Sequence, residues 1–157
     1  MSGQYDDLTY MEDVYAALFE LLEQAQFAGG LRFNSTTRSY TTPDDDPPAD
    51  QPALILVQGP ASAEQKQVFG LTKWTFTSLA VIYARVNTRP LDQSPLPTTI
   101  ANYLIWGMYR ALAATSPPYQ KQTISGIAYH AWVEGEVTIN ITGDQLVLTL
   151  PIYILPE

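Results

Sequence analysis

The chain has 157 residues, of which 46% are hydrophobic, and this length and composition predict one folded domain over residues 1–157. It contains no cysteine, which excludes disulfides, thiolate metal sites and cysteine nucleophiles. A formal net charge of −8, with eight scattered Lys and Arg residues, argues against ordinary DNA or RNA binding.

The N-terminal segment is polar and acidic and lacks the basic and apolar regions of a secretory signal. No later apolar run approaches the roughly 18 residues of a membrane span, so we expect a protein made in a cytoplasm, without a membrane partner. A first helix is predicted from a capping box at Thr9 and Glu12 to a stop at Gly29-Gly30. Its apolar residues recur at helical spacing: Met11, Val14, Tyr15, Leu18, Leu21, Leu22 and Ala25.

A short strand is predicted within Arg32–Tyr40, and a Pro/Asp-rich segment at 41–51 follows it. Prolines and aspartates dominate this segment, so it is predicted to be an exposed loop or arm. A solvated connector is the favoured interpretation. The alternative is an arm whose Asp44, Asp45 and Asp46 order against the basic surface of a partner.

Two strands are predicted next. Pro52–Val57 is a continuous apolar run, typical of a strand covered on both faces, and Gln58–Gly70, which contains Gly59-Pro60, is predicted to be a turn or loop. Leu71–Val86 then alternates without Gly or Pro and predicts a strand of about 45 Å.

One face of this long strand is apolar throughout, whereas the other is apolar only at Leu79, Val81 and Tyr83. A strand of such length must bend or reach beyond its own domain. We therefore assign these three side chains to a subunit interface.

A second helix is predicted from Ser94 or Pro95 to about Ala114, and its only charged residue is Arg110. A helix that lies on one sheet normally has a polar outer face. This helix is therefore either central in its own core or covered by another subunit, and the second interpretation is favoured. It assigns a further set of residues to the interface: Leu104, Trp106 and Met108.

The last third is rich in predicted strands. Ile124–Trp132 leads to a hairpin in which Val137–Ile141 and Leu146–Ile154 pair across a turn at 142–145. Pro151 cannot donate to a neighbouring strand, which places it at an edge or a bulge. The predicted fold class is α+β: a mixed, mainly antiparallel sheet with a long central strand and a C-terminal hairpin, flanked by two helices.

Catalytic patterns are absent from the sequence. His130 has no second histidine at ligand spacing, so a packed or surface role is favoured over metal binding. Glu134 and Glu136 share a face of an extended strand, but paired catalytic acids normally come from separate elements around a cleft. A solvated or lumen-facing acidic edge is favoured. No nucleophile elbow, dinucleotide fingerprint or P-loop occurs, so we expect neither an enzyme nor a cofactor.

Several phrases of the sequence resemble the tail terminator, or tail completion, proteins of long-tailed bacteriophages. They are PALILVQG at 52–59, AVIYA at 80–84, ISGIAYHAWVEG at 124–135, GDQ at 143–145 and PIYIL at 151–155. The resemblance spans most of residues 8–155 and lies in the order of short phrases. The Pro/Asp-rich segment has no counterpart in it.

The resemblance implies a small α+β subunit that assembles as a homo-hexameric ring. Such a ring caps the head-proximal end of the tail tube, stops its polymerisation and offers a docking face to the head connector. The implied partners are further copies of the chain, the tail tube protein and the connector, with DNA passing through unbound. The implied location is the virion, assembled in the host cytoplasm.

Other roles stay open at this stage. A head-completion, adaptor or tail tube protein would share the same physical features and differ only in its partners. A small-ligand-binding protein or an enzyme would require a pocket with converging polar groups. For the acidic residues Asp44, Asp45, Asp46, Glu134 and Glu136, the sequence predicts a surface that faces the lumen or a partner.

Overall fold

The computed structural model describes residues 7–43, 51–65, 72–86, 96–113, 123–124 and 127–156. It is an α+β fold with a mixed sheet and two helices, which confirms the predicted class at that level. The helices are α1 (Asp7–Glu23) and α2 (Pro97–Ala113). The strands are β1 (Ser35–Thr37), β2 (Ala53–Gln65), β3 (Thr72–Arg85), β4 (Thr123–Ile124), β5 (Ile127–Val133), β6 (Thr138–Thr142) and β7 (Gln145–Pro156).

The sheet follows the order β1-β2-β3-β7-β5-β4, and β6 also pairs with β7. β1 is parallel to β2, and every other recorded strand pair is antiparallel. β3 therefore lies inside the sheet, as the long apolar alternation of its sequence predicts. The strand predicted within Arg32–Tyr40 is confirmed only for the three residues of β1.

The loop predicted at Gln58–Gly70 is wrong over residues 58–65, because β2 continues to Gln65, and its remainder at 66–70 lies outside the described residues. The pairing with β3 shifts between Gln58 and Ala61, where Gly59 and Pro60 lie opposite the single residue Thr77. This two-against-one arrangement is a β-bulge, which accommodates a proline without ending the strand. β2 and β3 thus form a long hairpin whose outer part has no β7 beside it.

β5 and β6 lie end to end along one edge of β7, and the break between them falls opposite Pro151. Gly135 sits in this break with φ +109°, a conformation that favours glycine. The Glu134 N–H donates to the Pro151 carbonyl over 3.1 Å, so the chain stays attached where the regular ladder is interrupted. The sequence predicts an edge or a bulge at Pro151. The structure instead places Pro151 opposite Leu79 in the unshifted register of β3 and β7, beside the break between β5 and β6.

α1 packs its predicted apolar side chains into the core, but both of its predicted ends are wrong. The helix begins at Asp7, two residues before Thr9, so Thr9 is not its N-cap. It ends at Glu23 rather than at the glycines. The chain then forms a short bridge between Gln26 and Arg32, and Gly29 lies in a 3-10 turn within this bridge.

α2 lies within its predicted range, whose start at Ser94 or Pro95 and end at Ala114 fall outside the described residues. Not all of its apolar residues are available to a neighbour. Leu104 and Met108 are both 0% exposed within the one chain. Their assignment to a subunit interface is corrected, because both side chains pack in the core formed by the helices and the sheet. Gly107 allows the close approach of α2 to Phe27.

The core lies between the helices and one face of the sheet, and the side chains that fill it alternate along the strands. Its strand residues include Leu54, Leu56, Phe76, Ala80, Ile82, Leu146, Leu148, Leu150, Ile152 and Ile154. A second, smaller cluster on the opposite face consists of Ala53, Ile55 and Tyr83. The start of β2 is therefore covered on both faces, as predicted.

The predicted arm at 41–51 is described only at its two ends. Asp44, Asp45 and Asp46 lie outside the described residues. Gln51, which the sequence places in the exposed segment, is only 6% exposed. The boundary at 51 is corrected, because the Gln51 carbonyl and side chain are hydrogen-bonded to other parts of the fold.

Candidate interaction surfaces

The face of the sheet that points away from the helices carries side chains that are partly buried or, at Leu79, exposed; we call it the outer sheet face. Strand alternation places these side chains on it: Thr77, Leu79, Val81, Trp132, Val147, Thr149, Pro151 and Tyr153. Leu79 is 41% exposed and Val81 is partly buried. An exposed leucine inside a sheet, among apolar neighbours, is typical of a surface that contacts another molecule.

Tyr83 lies on the same face but is covered by its own chain. Its side chain is 3% exposed, and its hydroxyl donates to the Thr41 carbonyl over 2.6 Å. Tyr83 packs with Ala53 and Ile55 in the smaller cluster. Its assignment to a subunit interface is therefore corrected, whereas the assignments of Leu79 and Val81 stay predictions.

A concave site of 460 Å³ interrupts the outer sheet face beside the β2 bulge; we call it the sheet cavity. Its lining residues include Gly59, Pro60, Thr77, Leu79, Pro151 and Tyr153. The cavity forms where the bulge displaces β2 from the regular register. Apolar atoms dominate its wall, and the Thr77 hydroxyl already donates to the Pro60 carbonyl over 2.5 Å.

Aromatic rings extend the outer sheet face from the sheet cavity along β5. The rings of Tyr153 and Trp132 lie 6.1 Å apart between centroids, and those of Trp132 and His130 lie 4.9 Å apart. His130 thus packs in an aromatic row on the sheet. Within the described residues, no group of three or more His, Asp or Glu side chains could hold a metal ion.

α2 carries a second uncovered surface on the side opposite its buried residues; we call it the outer helix face. It consists of Trp106, Tyr109 and Arg110. Trp106 is 64% exposed, although tryptophan is usually highly buried. One face of the helix therefore lies in the core of its own chain, as the first interpretation of its sequence required. The opposite face has a large aromatic side chain in solvent, so the second interpretation, cover by another subunit, stays a prediction for that face.

Glu134 and Glu136 are exposed in the break between β5 and β6. Their backbone lies next to the sheet cavity, because Glu134 bonds to the carbonyl of Pro151, which lines it. They flank Gly135 at one end of the outer sheet face. The acidic edge predicted from the sequence thus lies beside an apolar cavity, and its contact with a lumen or a partner stays a prediction.

The buried polar groups inside the described fold include the hydroxyls of Tyr15 and Ser78. The Tyr15 hydroxyl donates to the Thr77 carbonyl over 2.9 Å, and burial raises the pKa of its phenol above the ordinary 10.0. The buried Ser78 hydroxyl has no hydrogen-bond partner among the described residues. These groups are dispersed and form no convergent constellation of acid, base and nucleophile.

A second concave site of 310 Å³ lies between the end of α1 and α2, lined by Leu21, Gln24, Gln26, Gly107 and Arg110 among others. Its walls are polar and open. No helix in the described ranges combines the length and apolar character needed to cross a membrane.

Comparison with known proteins adds no assignment: no protein-family model matches the chain, and no curated protein matches its sequence.

The sheet cavity was not predicted from the sequence, because Gly59-Pro60 was interpreted as a turn. A signal for it existed, because Pro60 cannot donate to a ladder, and a proline within a strand is confined to edges, first positions or bulges.

Proposed function

We propose that this protein is a structural ring subunit of a phage virion that ends the tail tube at its head-proximal side. Successive copies cover each other's apolar faces, and the closed ring stops tube polymerisation and docks the head connector. Its partners are its own copies, the tail tube protein and the connector. It acts without catalysis or a cofactor, in the virion, after assembly in the host cytoplasm.

The observation that carries this proposal is the presence of exposed apolar side chains on two different surfaces at opposite sides of the described fold, Leu79 on one and Trp106 on the other. The outer sheet face points away from the helices, and the outer helix face points away from the sheet. A contact between two different surfaces of identical chains is heterologous, and it produces a ring when the rotation between copies closes. A symmetric dimer would need only one self-complementary surface.

The acidity of the chain also supports a ring through which DNA passes. Sixteen Asp and Glu residues against eight Lys and Arg residues give a potential that repels phosphates. A pore for DNA must let the polymer slide without binding it. Among the oligomers that an acidic subunit could form, we propose a tail-terminating ring because phrases of the sequence resemble tail terminators.

Particles assembled without this protein test the proposal. Loss of a tube-ending ring should give tails of uncontrolled length, which negative-stain electron microscopy measures directly. Supplying the purified protein to tubes assembling in vitro should restore a defined end. Tails of normal length that fail to join heads would instead indicate a head-completion or adaptor protein, and would overturn the terminator assignment.

A further inference from the structure

We propose that Trp106 of one copy inserts into the sheet cavity of the next copy, and that Arg110 then lies beside Glu134 and Glu136 of that copy. This inference rests on the proposed function, because it names the contact through which successive subunits join. It assigns one exposed side chain to one cavity and one cation to one acidic pair.

Trp106 and the sheet cavity match in shape and chemistry. Trp106 is the most exposed large apolar side chain of α2, at 64%. The sheet cavity of 460 Å³ is wide enough for an indole ring, and Leu79 and Pro151 give it an apolar wall. Tryptophan is one of the residues enriched among the dominant contacts at protein interfaces, which cluster in well-packed pockets.

The charge near Trp106 is opposite to the charges near the sheet cavity. Arg110 follows Trp106 by four residues, which places it about 6 Å further along the same face of α2. Glu134 and Glu136 flank the strand break whose backbone bonds to Pro151 in the cavity wall. None of these three charged residues forms an ion pair within the described ranges, where Arg38 and Glu12 are paired.

Trp106 and the sheet cavity lie on different sides of the chain. The sheet cavity opens on the outer sheet face, and Trp106 lies on the other side of the helix layer. One chain therefore cannot bring its own Trp106 into its own cavity, whereas a second copy can. The occupant that fits both the apolar wall and the adjacent acids is this protein itself.

Two complementary variants test the contact. Trp106→Ala removes the inserted side chain and keeps the cavity, whereas Leu79→Glu blocks the cavity and keeps the tryptophan. Each variant alone should be monomeric under conditions in which the wild-type chain associates. A 1:1 mixture should form a heterodimer that grows no further, because only one productive contact remains. Native mass spectrometry resolves these species, and Leu79→Lys serves as a second blocking variant if Leu79→Glu does not fold.

The charge pairing has its own test. Arg110→Glu should weaken association about tenfold or more, and Glu134→Arg with Glu136→Arg should restore association with that variant. If the wild-type chain assembles and both Trp106→Ala and Leu79→Glu assemble equally well, this inference is overturned and the proposed ring is left intact. Variants that are monomeric both singly and when mixed would also overturn it. A wild-type chain that never associates, alone or on tail tubes, would overturn the proposed function.

Discussion

The side-chain amides of Gln51 and Gln145 exchange two hydrogen bonds, of 3.2 and 3.0 Å, although the residues lie 94 positions apart. Gln51 follows the Pro/Asp-rich segment, and Gln145 begins β7. The Gln145 amide also donates to the carbonyls of Ala84 and Leu146. The pair therefore ties the point where the chain re-enters the sheet to the end of the C-terminal hairpin.

Gln145→Ala should destabilise the fold by about 1–3 kcal/mol, because it removes both hydrogen bonds between the two side-chain amides. Gln51→Ala should cost a similar amount. The double variant should cost less than the sum of the two, and a double-mutant cycle by urea unfolding measures the difference. Strictly additive effects would show that the two amides do not interact.

Gly107→Ala should destabilise the protein even though alanine favours helix. A Cβ at Gly107 would lie 2.1 Å from a ring carbon of Phe27, which is far inside van der Waals contact. Overpacking of this kind costs about 1–3 kcal/mol, against a gain of about 1 kcal/mol in helix propensity.

Phe27→Ala is the matched partner for this variant, because it removes both ring carbons that the new Cβ meets and leaves the Gln26 carbonyl at 3.0 Å. In the Phe27→Ala background, Gly107→Ala should therefore cost much less than in the wild-type background. Thermal unfolding of the four proteins measures both effects. A stabilising Gly107→Ala in the wild-type background would contradict the packing described between α2 and Phe27.

Alkaline pH should weaken the fold in part through Tyr15. Burial raises the pKa of its phenol above 10.0, so the folded state holds the proton more tightly than the unfolded state. The stability from neutral Tyr15 is fully present below the unfolded pKa, and is lost as pH rises through the folded pKa.

Tyr15→Phe should be less stable than wild type by about 1 kcal/mol at neutral pH, because the Thr77 carbonyl loses its donor. This difference should shrink above pH 10, where only the wild type has a phenol to ionise at position 15. Urea unfolding of both proteins from neutral to alkaline pH tests the prediction. A difference that stays constant with pH would contradict it.

Leu104 and Trp106 lie two residues apart on α2 and should respond differently to truncation. Leu104→Ala opens the core and should cost about 2–5 kcal/mol of stability. Trp106→Ala removes an exposed side chain, and should leave the unfolding free energy of the monomer nearly unchanged while weakening association. Urea unfolding and sedimentation of both variants separate the two effects, and a large loss of monomer stability from Trp106→Ala would contradict the exposed position.

Sequence periodicity predicted the elements whose pattern is long and uninterrupted. β3, α2 and the β6–β7 hairpin fall within a few residues of their predicted bounds, because alternation and helical spacing reflect which side chains are buried. Periodicity did not separate the two sides of α2, since both carry apolar residues. Only the packed structure shows that Leu104 faces the core and Trp106 faces solvent.

The remaining errors come from tertiary contacts that override local signals. Gly59-Pro60 has the composition of a turn, but pairing with β3 on both sides holds it as a bulge. Thr9 and Glu12 have capping-box spacing, but the helix extends beyond them to Asp7. Tyr83 has the pattern of an uncovered residue, and a segment 42 residues away covers it.

The central claim is that copies of this chain cover the apolar surfaces that one copy leaves exposed. Sedimentation velocity of the wild-type protein across a wide concentration range, in parallel with Trp106→Ala, tests it most directly. We expect the wild-type chain to shift to a closed oligomer as its concentration rises, and the variant to remain monomeric. A wild-type chain that sediments as a monomer at every concentration, identically to the variant, would contradict the claim.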